Sequence, residues 1–207
     1  VAIGHNALGA TETGDYNVAV GREAGMTQNG AAANTLIGHA AGAYITTGGN
    51  NTILGYTTGD AITTGANNTC VGATAGGALT TGQLNVFIGN GAGDSLTTAS
   101  QNVAVGRNAL TACETTGQHV AIGDQALASV STGTNNVAVG SAAGFAIDTG
   151  SSNVCIGVSA GDSITSAPSN VIVGTGAGAA LSTGSGENVV LGNSAGAAMT
   201  TGQQNIL

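Results

Sequence analysis

The stretch Asn102-Val103-Ala104-Val105-Gly106 returns along the chain every seventeenth residue. Its glycine recurs at Gly4, Gly21, Gly38, Gly55, Gly72, Gly89, Gly106, Gly123, Gly140, Gly157, Gly174 and Gly192, and only the last interval is eighteen residues. An asparagine stands four residues ahead of nearly every one: Asn17, Asn34, Asn51, Asn68, Asn85, Asn102, Asn136, Asn153, Asn170 and Asn188, with His119 as the exception. Self-similarity at a short fixed period is the mark of a repeat array, and it sets the architecture before any single residue is considered. Residues 1–16 form a partial repeat, 17–204 full repeats and 205–207 the start of a further one. No linker or composition shift divides them, so the sequence reads as a single continuous array over 1–207. Its first and last residues fall inside a repeat, which is the expectation for a segment of a longer array.

Counting the asparagine as position one, the unit reads N-V-A-V-G-x-x-A-G-x-x-I-T-T-G-x-x. Positions two to four are a β-branched run between turn formers, which predicts a strand. The glycine at position five ends it in a corner that a positive φ allows. Position eight is alanine except at Thr58, a small side chain where coils approach closely. Position twelve is usually aliphatic (Ile45, Ile62, Leu79, Leu96, Ile147, Ile164, Leu181), and a second short strand is expected there before Thr-Thr-Gly turns the chain back. A unit this thin cannot bury its own apolar residues, whereas stacked units can. The fold class that follows is all-β, a parallel β-solenoid of about twelve 17-residue coils. Glycine every few residues defeats a helical reading.

Side chains alternate across a strand. Position four is always Val, Ile or Leu, so positions two and four are expected to fill the coil and position three to face outward. Yet position three is never polar: it includes Leu36, Ile53, Cys70, Phe87, Cys155, Ile172 and Val190. Soluble monomers avoid so long an apolar stripe. The column is therefore expected to be an interface with further copies of the chain, closed by cyclic symmetry; the alternative is that it lines a second internal cavity of one wide coil.

Composition agrees with a thin, layered core. Glycine is 37 of 207 residues, aromatics are 2% and charged residues 6%. Ten acids against two arginines give a net charge of −8, too few cations to neutralise a nucleic-acid backbone. No apolar run approaches the roughly 20 residues of a membrane span. Cys70 and Cys155 share a column five repeats apart. At about 4.8 Å per coil they are some 24 Å from each other, beyond the roughly 7 Å reach of a disulfide. With Cys113 they read as small apolar fillers.

No catalytic, cofactor or metal constellation emerges. His5 and His39 share position six, and His119 stands alone in the asparagine column; zinc needs three or four converging ligands. Asp60, Asp94 and Asp162 share position ten but never in adjacent coils. The glycine clusters Gly89–Gly93 and Gly174–Gly178 lack a phosphate-binding lysine and recur with the period, so they are corners. No serine has a histidine and carboxylate at triad spacing, and no enzyme is expected. The asparagines are read as a corner ladder, their amides bonding to each other and to turn backbone. The Thr-Thr pairs (Thr46-Thr47, Thr63-Thr64, Thr80-Thr81, Thr97-Thr98, Thr200-Thr201) also suit an ice-binding face, though Asn29, Glu114, Asp148 and Ser166 interrupt them. Asn50 and Asn67 head N-x-T sequons, incidental in a bacterial or viral fibre.

The N-V-A-V-G-x-x-A unit resembles the head repeats of YadA-like trimeric autotransporter adhesins, which form a left-handed β-roll in a homotrimer. The variants Asn6-Ala7-Leu8, Asn108-Ala109-Leu110 and Gln125-Ala126-Leu127, followed by Thr-Gly, resemble the N-T-A-I-G-Y-Q-A-L arrays of bacteriophage tail fibres. The resemblance covers essentially the whole chain, with a unit two or three residues longer than the usual adhesin repeat. It implies a homotrimeric structural fibre, on a virion or a bacterial surface, that spaces or presents host attachment. Partners would be sister chains and, through regions outside this segment, a host cell-surface glycan or protein. The family implies no catalytic site in the repeats.

Overall fold

The computed structural model describes residues 1–10, 13–113, 115–183 and 186–207. Among them there is no helix, and the named strands are the runs at positions two to four. The chain falls into two compact units, Val1–Asn102 and Val103–Leu207, although the repeat pattern runs on without a break. In repeat arrays contacts are between neighbouring coils, so such a division requires neither a linker nor a change in composition.

In the first unit β1 (Ala2–Ile3), β2 (Val18–Val20), β3 (Thr35–Ile37), β4 (Thr52–Leu54), β5 (Thr69–Val71) and β6 (Val86–Ile88) pair in parallel and in chain order. Register is set by the repeat: Leu36 lies opposite Ile53, Ile53 opposite Cys70, and Cys70 opposite Phe87. The second unit has β7 (Val103–Val105), β8 (Val120–Ile122), β9 (Val137–Val139), β10 (Val154–Ile156), β11 (Val171–Val173) and β12 (Val189–Leu191) in the same arrangement. Each unit is a parallel β-solenoid with one rung per repeat.

Two expectations are corrected. Position three does not face outward: Leu36, Ile53, Cys70, Phe87, Cys155, Ile172 and Val190 are all 0% exposed within the single chain, so they cannot contact another copy. Positions two and four face out instead, with Ile37 at 38%, Leu54 at 43% and Leu191 at 54% exposure. The cause lies one residue earlier. The position-one asparagine turns inward to bond at the corner, and alternation then puts position three on the same side. The expected second strand is also absent from the described residues. Position twelve is buried, but it follows a run of turns in which positions seven and nine take positive φ, as at Ala40 (53°) and Gly42 (55°). That run wraps the chain around the coil without extending it.

The interior is filled from positions three, nine and twelve together, and bulk moves among them. The coil 51–67 uses Ile53, Gly59 and Ile62; the coil 119–135 uses Ala121, Leu127 and Val130. A Cβ at Gly59 would lie 2.9 Å from the Ile62 Cδ1 and 3.0 Å from the Ile53 Cδ1. Leucine is therefore accommodated at position nine where position three is alanine, even though Leu127 must hold a φ of 50°, a region that disfavours any residue with a Cβ. At position five φ is near +135°, as at Gly38, and an added Cβ would strike the carbonyl oxygen of Gly55 in the next coil. Only glycine serves there. The extra residue of the repeat from Asn170 falls around Gly184 and Ser185, outside the described residues.

Candidate functional site: a buried ladder and an uncharged outer face

The asparagine column is a continuous hydrogen-bonded ladder within each unit. Asn51 is typical: its N–H donates to Asn34 Oδ1 at 2.8 Å, and its Nδ2 donates to the same oxygen at 3.0 Å and to the Gly65 carbonyl at 3.0 Å. Asn68, Asn85, Asn153 and Asn170 repeat the pattern on the preceding asparagine. Asn17, Asn34, Asn102, Asn136 and Asn188 are buried in the same column. One side chain thus ties its own coil to the coil before it and closes the corner at position fifteen. Buried amides with their partners in place strengthen one another in a low-dielectric interior.

His119 performs the same task with a ring. Its Nε2 lies 3.1 Å from the Gly133 carbonyl oxygen, and its Nδ1 lies 3.3 Å from the backbone nitrogen of Asn136. A carbonyl can only accept and an N–H can only donate, so the imidazole is neutral with its proton on Nε2. Burial holds its pKa down at about 4, against a smaller upward pull from the Gly133 carbonyl. The corner around it also departs from the pattern. Thr116 occupies position fifteen, where other coils have glycine or alanine, and its hydroxyl lies 3.0 Å from Cys113 Sγ and 3.5 Å from His119 Nε2. Cys113 is buried, and its thiol pKa is raised by that burial against hydrogen bonds with Thr116 that lower it. Cys70 and Cys155 are pushed up to about 12 by desolvation. All three cysteines are free, as inert apolar filling requires.

On the outside, both arginines and two of the histidines sit at position six. Arg22 pairs with Glu23 at 3.0 Å and Arg107 with Asp124 at 2.9 Å, both exposed and worth little to stability. His39 stacks on Tyr56 with ring centroids 5.2 Å apart. Asp60 and Asp94 have raised pKa values, chiefly from desolvation, and no group of three His, Cys, Asp or Glu side chains could hold a metal among the described residues. A depression lined by Pro168, Gly186, Glu187 and Gln203 brings together a single titratable group.

The Thr-Thr pairs divide their roles. Position thirteen turns its hydroxyl to the next coil: Thr46, Thr63 and Thr80 donate to the carbonyls of Thr63, Thr80 and Thr97 at 3.1, 3.2 and 2.9 Å. Position fourteen (Thr47, Thr64, Thr81 and Thr98 in the first unit) is exposed. Of the residues interrupting the pairs, Asn29, Glu114 and Asp148 stand at position thirteen; Glu114 lies outside the described residues.

Within each unit the outer face of the strands is a uniform surface. In the first unit it carries Val18, Val20, Thr35, Ile37, Thr52, Leu54, Thr69, Val71, Val86 and Ile88, and in the second unit the equivalent residues from Val103 to Leu191. Every one is Val, Ile, Leu or Thr, without a charge or an amide. Sequence reasoning identified these residues and assigned them to the interior. The signal that places them outside was the inward asparagine at position one, two residues before position three. No helix among the described residues is long and apolar enough to cross a membrane. No family model, no curated protein and no solved structure matches the chain.

Proposed function

We propose that this chain is a structural segment of a trimeric adhesive fibre, in first place a phage tail-fibre shaft that spaces or presents host-receptor recognition. The single observation that carries this reading is the outer sheet face. It is made of Val, Ile, Leu and Thr, free of charge and present in both units. A parallel sheet is ordinarily covered on both sides, and here the interior covers only one. The occupant that fits a face with no charge to complement is the same face of a sister chain. Cyclic symmetry buries three such faces about one axis, and a left-handed coil, as in the repeats this sequence resembles, belongs to the same reading. The function proposed is spacing and display.

Analytical ultracentrifugation tests it directly. The chain should sediment as a trimer, and the combined variant Ile37→Lys, Ile88→Lys, Ile122→Lys, Ile156→Lys should sediment as a monomer with its β circular dichroism intact. A monomeric wild-type chain at tens of micromolar would remove the reading.

Ice binding is a second reading, favoured by the exposed threonines at position fourteen. It requires a monomer that shows thermal hysteresis.

A further inference from the structure

The ladder has one rung made of a titratable ring. We propose that His119 is an acid-sensitive joint: protonating its imidazole turns a ladder acceptor into a donor, and the second unit opens first at this rung. The geometry carries the argument. Nδ1 is the acceptor for the Asn136 N–H at 3.3 Å, so a proton there would set donor against donor and strand a positive charge in a buried corner. The asparagine at every other rung keeps its acceptor at any pH, because a carboxamide does not titrate in this range.

Among the described residues, the one carboxylate of this coil and the one of the next each have a partner. The Asp124 carboxylate pairs with Arg107, and the Asp148 carboxylate accepts from the Ser131 hydroxyl. Cys113 reaches the ring through Thr116 and stays a neutral thiol. Glu114, in the same repeat, lies outside the described residues.

The sign follows from linkage. The folded ring titrates at about 4, below its ordinary value of 6.5. Its contribution is whole above the ordinary value and is lost as the pH falls from there toward 4. At pH 4.5 the open state should gain on the order of 50-fold from this one group. Because coils in an array open semi-independently, the loss is local.

The test is native-state hydrogen exchange on the full chain at pH 7 and 4.5, comparing the Asn136 amide with the Asn153 amide. The latter donates to Asn136 Oδ1 at 3.0 Å and serves as a non-titrating control. In the wild type the protection of Asn136 relative to Asn153 should fall at least tenfold on acidification, and in His119→Asn it should stay constant. An unchanged ratio in the wild type, or the same fall in the variant, overturns the proposal. Should the variant fail to fold, the imidazole resonances of the wild type decide: titration at the ordinary value overturns the proposal, and a ring still neutral at pH 5 upholds it.

Discussion

The coils 51–67 and 119–135 have the same backbone course and opposite interiors. In the first, bulk sits on the strand at Ile53 and at Ile62, and position nine is Gly59; in the second, the strand carries Ala121 and the bulk has moved to Leu127, with Val130 completing the layer. Coil 102–118 repeats the second solution with Ala104, Leu110 and Cys113. Bulk can therefore move between positions of one layer, which is how close-packed cores tolerate compensated exchanges. What does not move is the ladder residue at position one and the glycine at position five, because backbone geometry and hydrogen bonding leave them no substitute except the ring of His119.

The sharpest attack on this comparison is to force the second solution onto the first coil. Gly59→Leu alone should destabilise by about 3 kcal/mol or more, from overpacking against Ile53 and Ile62 plus a side chain held at positive φ. Adding Ile53→Ala should recover more than half of that loss in urea unfolding. A double variant no more stable than the single one would mean that layers do not share volume.

Removing the ladder contact, which Asn51 makes in one coil and His119 in the other, comes next. Asn51→Ala deletes the acceptor for Asn68 and the donor to the Gly65 carbonyl, and should cost roughly 2–3 kcal/mol through buried groups left unpaired. Amide exchange at Asn68 should rise, while that at Asn102 changes little.

The smallest effect comes from a coil that follows neither solution. In coil 17–33 position three is Ala19, position nine Gly25 and position twelve Gln28, which is fully buried with no hydrogen-bond partner for Nε2 or Oε1. Leu8 and Leu36 from the adjoining coils reach toward Gly25 and occupy part of the space. Gln28→Leu removes an unsatisfied amide and should stabilise the first unit by about 1–2 kcal/mol. A thermal melt showing a loss would indicate that the amide has a partner in solution, an internal water for example.

Much of this was legible in residues alone. The spacing from Asn34 to Asn51 to Asn68 fixed which residues stack, and the pairing of Leu36 with Ile53 and Cys70 follows from it. The role of His119 as a stand-in for asparagine was visible as a substitution, though not its hydrogen-bonding consequence. Position twelve was correctly apolar but wrongly extended, because alternating φ signs through positions seven to nine leave no pattern in hydrophobicity. The exchange between positions three and nine was present in the sequence as Ala104 with Leu110 against Ile53 with Gly59. Its meaning depends on knowing that both side chains enter one layer.

By itself the sequence determined the period, the all-β class, the parallel in-register stacking and the column of corner amides. Those follow from local propensity and from the rule that identical units bury identical faces against each other. Only the tertiary structure decided which side of the strand is the inside. Alternation fixes that positions two and four oppose position three, but it carries no sign. The sign comes from closing the coil, where an inward asparagine bonds the position-fifteen carbonyl and three distant positions must fill a single layer.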